Sequence, residues 1–237
     1  MIRLARRYHQ GLMIFAGLQF FLWSVSGLYM VLMNIHSIHG EDLTVQQQPL
    51  LSASMINKGS SFNINTLIRA YPDASNINLA WLADKPVYRF VTQGENKLLS
   101  AITGKLIPEI TSDIAMKVAL SNLREPLDIE KLYLITDKPP DEIGSRALPL
   151  WRVDFYGVNS PTFYISHQTG EVLTIRHNTW RLFDALWRLH IMDYTEGEDI
   201  NNILLNVFTI SGLLAALSGL VLLAFRLLSN ESAEPAR

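Results

Sequence analysis

The sequence predicts an α+β domain made of two similar repeats, each a helix packed on antiparallel strands, set between two transmembrane helices. Three observations lead to this reading. Two long runs, residues 8–40 and 200–225, contain no Asp, Glu, Lys or Arg. The stretch between them passes twice through the same order of helix-period and strand-period patterns, each pass ending on Thr-Gly. The 237 residues include no cysteine, so the intervening domain must be held by its own core.

Residues 1–10 form an N-terminal arm carrying Arg3, Arg6 and Arg7. Residues 11–34, GLMIFAGLQFFLWSVSGLYMVLMN, exceed the roughly 20 apolar residues that a bilayer requires and form the first span. A signal peptide shares the basic start, but the apolar stretch is too long for one and no small-x-small cleavage site follows. Residues 202–225, containing ILLNVFTISGLLAALSGLVLLAF, form the second span by the same length rule, and residues 226–237 are a tail. Arginines lie on the outer flanks of the two spans, while Glu41, Asp42, Glu196, Glu198 and Asp199 lie on the inner flanks. The positive-inside rule then puts both termini in the cytoplasm and residues 41–199 outside it. Those residues hold 20 acidic against 15 basic side chains, which argues against nucleic acid as a partner. The absence of cysteine excludes disulfides, covalent c-type haem, cysteine-ligated zinc and iron-sulfur clusters.

The first repeat, 41–109, opens with FNINTLIRAY, whose Ile64, Leu67, Ile68 and Tyr71 share a helical face. NINLAWLA, PVYRFVTQ and KLLSAI follow as strands, and Thr103-Gly104 makes a turn. The second repeat, 110–176, opens with the helical SDIAMKVALSNL, continues with KLYLIT, LWRVDFYG and TFYIS, and reaches Thr169-Gly170. Tyr88-Arg89-Phe90 answers to Trp151-Arg152-Val153. KPPDEIGSRALP, residues 138–149, reads as a flexible surface loop separating two strands of the second repeat. His167 and His177 read as exposed turn or strand-end residues. Residues 178–199 form an amphipathic helix and linker at the membrane surface. Trp180, Phe183, Trp187 and His190 lie on one side of this helix, opposite Arg181, Asp184 and Arg188, and the first three serve as interfacial anchors.

The aromatic or Arg-bearing strand, then TFYISHQ, then TGEVL, resembles the PepSY domain. YHQG followed by SVSGLYMVL at the start of the chain, and WRLHIMDYTEGED followed by FTISGLLAALSGLVLLAF at its end, resemble the PepSY-associated transmembrane type, so the resemblance covers nearly the whole chain. It implies two kinds of function. PepSY domains occur in peptidase propeptides and in extracytoplasmic modules that restrain proteases. Membrane-bound relatives resemble haem-containing iron or siderophore reductases, which usually carry more spans than the two read here.

His190, His36 and His39 fall at the outer membrane face. Imidazoles meeting across an apolar gap are what bis-histidine ligation of haem b, or a small divalent metal site, requires; His190 with His36 is the preferred pair and His39 the substitute. The bland alternative is that all three are amphipathic boundary residues. His9, on the cytoplasmic side, matches the opening histidine of the resembled family and would need a ligand from a second protomer or another subunit. Ser211, Ala215 and Gly219 recur four apart as a close-packing seam for another helix or a homodimer, with Gly17, Ser24 and Gly27 as the corresponding surface on the first span. Gln19 and Asn206 read as helix-helix hydrogen-bonding residues. HExxH, GxSxG, Walker and GxGxxG motifs are missing, and no pair of carboxylates stands out as acid and base.

The expected protein is therefore a bacterial inner-membrane accessory or electron-transfer subunit, haem-binding or flavoprotein-docking. Its partners would be the lipid bilayer, a further membrane subunit or a second copy, and a periplasmic redox protein. The alternative is a periplasmic binding module that restrains or senses a peptidase or peptide.

Overall fold

A computed structural model describes residues 2–45, 62–195 and 197–231. In chain order the elements are α1 (Ile2–Leu32), α2 (Ile35–Ile38), α3 (Ile64–Ala70), β1 (Ser75–Leu82), β2 (Lys85–Thr92), β3 (Glu95–Ser100), β4 (Leu106–Ile107), α4 (Ser112–Asn122), β5 (Ile129–Ile135), β6 (Leu150–Phe155), β7 (Thr162–Ser166), β8 (Val172–Arg176), α5 (Asn178–Ile191) and α6 (Ile203–Glu231). The chain divides into two compact units, a helical one of residues 1–33 with 182–237 and a sheet-bearing one of residues 34–181.

The sheet unit holds two four-stranded antiparallel meanders, β1-β2-β3-β4 and β5-β6-β7-β8. Each has a strand that the sequence did not announce: β4 and β8 return after the two Thr-Gly turns. Both turns are built alike. Gly104 and Gly170 take φ of +69° and +64° and donate N–H to Ser100 O and Ser166 O at 2.8 and 2.9 Å. Ser100 N and Ser166 N donate in turn to Lys105 O and Glu171 O, both at 2.9 Å. The duplication extends to the helices. Asn63 and Thr111 cap α3 and α4, accepting from Asn65 N and Ile114 N. The residues just before them, Phe62 and Ile110, donate N–H to Ala101 O and His167 O, and their own carbonyls accept from Tyr88 Oη and Trp151 Nε1.

Burial follows the alternation of the strands. Tyr88, Phe90 and Leu99 pack with Leu67 of α3 on one face of the first sheet. From its opposite face Val87 and Leu98, with Leu82, join the largest core, which also takes in Ala115, Val118 and Ala119 of α4 and Val153, Phe155, Phe163 and Ile165 of the second sheet. The remaining face of the second sheet puts Leu150 and Tyr164 against Ile143. Residues 138–149 are therefore not a free loop. A 3-10 turn, Asp141–Ile143, drives Ile143 into that core, a single apolar anchor that the polar composition of the segment conceals.

In the helical unit α1 and α6 pack together: Phe20 lies against Gly212 and His9 against Gly219, so the helices run antiparallel. Ala16 and Ala215 are buried, and Ser211 is half-buried. Among the described residues, Ile203–Leu228 is long and apolar enough to cross a membrane, and α1 holds a shorter apolar stretch, Ala16–Leu32. The small-residue surface expected on α1 is different in detail. Gly17 has nothing within 4 Å of an added Cβ, Ser24 is exposed and bonds back to Phe20 O, and Gly27 faces His190. Among the described residues neither expected interhelical hydrogen bond is present. Asn206 turns to Asn201 Oδ1 at 3.2 Å, and Gln19 is buried with its Nε2 unpartnered.

A methyl at Gly170 meets Leu82 and Ile110 while forced to a left-handed φ, whereas Gly94, also at positive φ, faces open space. Gly170→Ala should therefore destabilise the protein by about 3 kcal/mol and Gly94→Ala by about 1 kcal/mol, read as midpoint shifts in chemical denaturation of the detergent-solubilised chain.

Candidate functional site

The helical unit contains two histidines in matching surroundings. His190, near the end of α5, places Nδ1 2.9 Å from Ser26 Oγ, with its Cε1 3.5 Å from a Cβ built on Gly27. His9 places Nδ1 2.8 Å from Ser218 Oγ, with its Cε1 3.1 Å from a Cβ built on Gly219. Each imidazole thus rests on a Ser-Gly-Leu triplet, residues 26–28 or 218–220, where glycine admits the ring and serine bonds it.

The serines also favour one tautomer. Ser26 donates its hydroxyl proton to Leu22 O at 2.8 Å and Ser218 donates to Ala215 O at 2.8 Å, so each Oγ is left to accept from the histidine. With that pairing a neutral ring carries its proton on Nδ1 and a lone pair on Nε2, which makes no hydrogen bond among the described residues. Trp23 adds to the His190 site by donating Nε1–H to His190 O at 2.7 Å and packing its ring at 6.4 Å. A neutral imidazole locked at Nδ1 and free at Nε2 is the form in which histidine ligates a metal. Spacing along the sequence does not disclose these pairings, because each links a histidine to a triplet far along the chain; the recurrent Ser-Gly-Leu was their only signal.

The other histidines lie in the sheet unit. His36 is exposed and pairs Nδ1 with Glu41 Oε2 at 2.8 Å. His39 is exposed at the C-cap of α2. His167 packs on Trp151 with its ring 6.2 Å away and approaches Glu109. His177, expected to be exposed, is fully buried. Its Nε2–H donates to Ile38 O at 3.1 Å and its Nδ1 accepts from Trp180 N at 3.4 Å, so the ring joins residues 34–40 to the start of α5. Of the expected anchors, Trp180 stacks under the Arg176 guanidinium at 3.9 Å, Phe183 is half-buried, and Trp187 donates to Gly197 O at 3.0 Å. Among the described residues no three His, Asp or Glu side chains gather as a metal-binding group, which leaves ligation by one or two imidazoles untouched.

The outer face of the second sheet carries a polar lock. Arg181 grips Glu142 with Nε and Nη2 at 2.8 and 3.1 Å, and Tyr164 donates to the same carboxylate at 2.6 Å. Arg152 Nε reaches both oxygens of Asp154, which also accepts from Thr162 at 2.7 Å. Burial alone would raise the Glu142 pKa, but the hydrogen bonds of Arg181 and Tyr164 and the charges of Arg181 and Arg152 hold it below its ordinary value. Burial and the Glu142 carboxylate push the Tyr164 phenol up. A carboxylate kept ionised beside a phenol kept protonated fastens the 138–149 segment and offers no acid-base pair near neutrality.

No family model, curated protein or solved structure matches this chain.

Burial holds the His177 pKa below 6.5, against the hydrogen bond to Ile38 O and with help from Arg181 and Arg176. The unfolded chain therefore binds the extra proton first. Stability should be complete above about pH 6.5 and fall as pH drops toward the folded-state value, with a second loss below about pH 4.5 as Glu142 takes up its proton. Denaturation midpoints measured across pH should show both steps. His177→Gln should remove the upper one, and Glu142→Gln should diminish the lower, to which Asp73, Glu95 and Asp193, also held below their ordinary pKa, contribute.

Proposed function

We propose that the chain is a PepSY-type protein of a Gram-negative inner membrane that works as a haem-binding, electron-transferring accessory subunit. In this reading α1 and α6 are two membrane spans, both termini are cytoplasmic and the sheet unit is periplasmic. The carrying observation is the pair of imidazoles held by Ser26 and Ser218 with Nε2 free. Each imidazole would hold the iron of one haem b through Nε2. At 1.5 Å per residue, His9 and the Ser26 that holds His190 are about 25 Å apart along α1, too far for one iron to take both. His9 and His190 would each complete a site with a ligand from a second copy or another membrane subunit, and the haem would supply one-electron chemistry. The unpartnered Gln19 amide in the apolar helix pair is consistent with a further helix joining this unit.

A periplasmic module that binds a peptide or restrains a peptidase is the second reading. It is favoured by a cleft of the sheet unit lined by Asn96, Arg146, Leu148, Gln168 and Leu173 rather than by the histidines, and a peptidase that copurifies with the chain and is inhibited by it would support it.

Haem content separates these readings. The full chain purified from haem-replete cells should show a Soret band. His9→Ala and His190→Ala should each remove about half of the haem, and the double variant all of it. His36→Ala and His39→Ala should leave the spectrum unchanged, whereas Ser26→Ala and Ser218→Ala should keep the haem but shift its midpoint potential. A wild-type spectrum in both His9→Ala and His190→Ala would end the haem reading.

A further inference from the structure

At the junction of the two repeats, within the sheet unit, lies a cleft of about 420 Å³, inside the ~300–1,000 Å³ range of small-ligand sites. Asn96 lines it from the first sheet; Arg146 and Leu148 line it from the 138–149 segment, and Ser166, Gln168 and Leu173 from the second sheet and its turn. Arg146 is the unusual member. Its Nε is buried without a hydrogen-bond partner among the described residues, so no protein acceptor there competes with a ligand for this half-buried guanidinium.

The charge of the cleft points the same way. Its lining has two charged residues, Arg146 and Glu171. Glu171 already lies in the field of Arg89, a half-buried side chain of β2 whose Nε donates to Thr169 O at 3.1 Å. Arg146 enters no ion pair among the described residues, so the cleft carries one unanswered positive charge. A planar guanidinium fork matches a carboxylate. Leu148 and Leu173 give the cleft apolar walls, and Asn96 and Gln168 supply amides at its rim.

We propose that this cleft binds a small organic carboxylate with a branched apolar body, either a free acid or the C-terminal residue of a peptide, with Arg146 receiving the carboxylate. The proposal concerns the sheet unit alone and requires neither haem nor a peptidase partner.

The test is a saturation-transfer NMR titration of the full chain in nanodiscs, with three probes: N-acetyl-Ala-Leu with a free carboxylate, the same dipeptide as its amide, and sodium 3-methylbutanoate. The free-acid dipeptide, the 3-methylbutanoate or both should bind at least tenfold tighter than the amide. Arg146→Gln should abolish that preference and Arg146→Lys should retain part of it. Binding of the dipeptide acid identifies a peptide end as a source, and binding of 3-methylbutanoate alone identifies a free acid. Equal binding of acid and amide, an undiminished preference in Arg146→Gln, or no binding of either acid would overturn the proposal.

Discussion

A domain inserted between two helices must bring its own two ends together, and here a buried histidine does so. Residues 34–181 form one unit inside a chain whose first and last parts form another. Within the inserted unit, His177 ties Ile38, just after the unit begins, to Trp180, just before it ends. The bond depends on a neutral ring with its proton on Nε2, because a backbone carbonyl can only accept and a backbone N–H can only donate. Gly40 packs its Cα beside the ring, where an added Cβ would come within 3.4 Å, so the closure is also sterically matched.

The two repeats share a hydrogen-bond plan but use their faces differently. In the first sheet Arg89 reaches across to Thr169 of the second repeat, whereas its counterpart Arg152 turns along its own strand to Asp154. The first therefore fastens repeat to repeat, and the second belongs to the lock that holds residues 138–149 on the outer face. Equivalent backbone positions have acquired unrelated electrostatic duties because one face was covered by the other copy and the other by a connection.

Much of the fold was legible in the sequence because it rests on local pattern. The helix of FNINTLIRAY, the strands PVYRFVTQ and TFYIS, and both Thr-Gly turns appear within a residue or two of where periodicity and turn chemistry put them. Strand β4 escaped notice because two residues are too few for an alternation to stand out, and β8, VLTIR, because Val172 and Leu173 break the alternation at its start and burial does not alternate along it. The histidines show where such reading stops. Grouping them by membrane depth suggested a pairing of His36 with His190, but depth carries no signal for the local partners, Glu41 for His36 and Ser26 for His190. His177 looked exposed because a lone histidine after a strand carries no mark of burial; only the distant carbonyl of Ile38 explains its position.

The shared core makes each repeat depend on the other. Leu82, Val87 and Leu98 of the first repeat are covered largely by residues of the second, and Leu82 lies directly against Gly170. Either repeat alone would expose that apolar face to water. Joined in one chain, the two halves meet at a high effective concentration, so their docking does not depend on how much of the protein the cell contains.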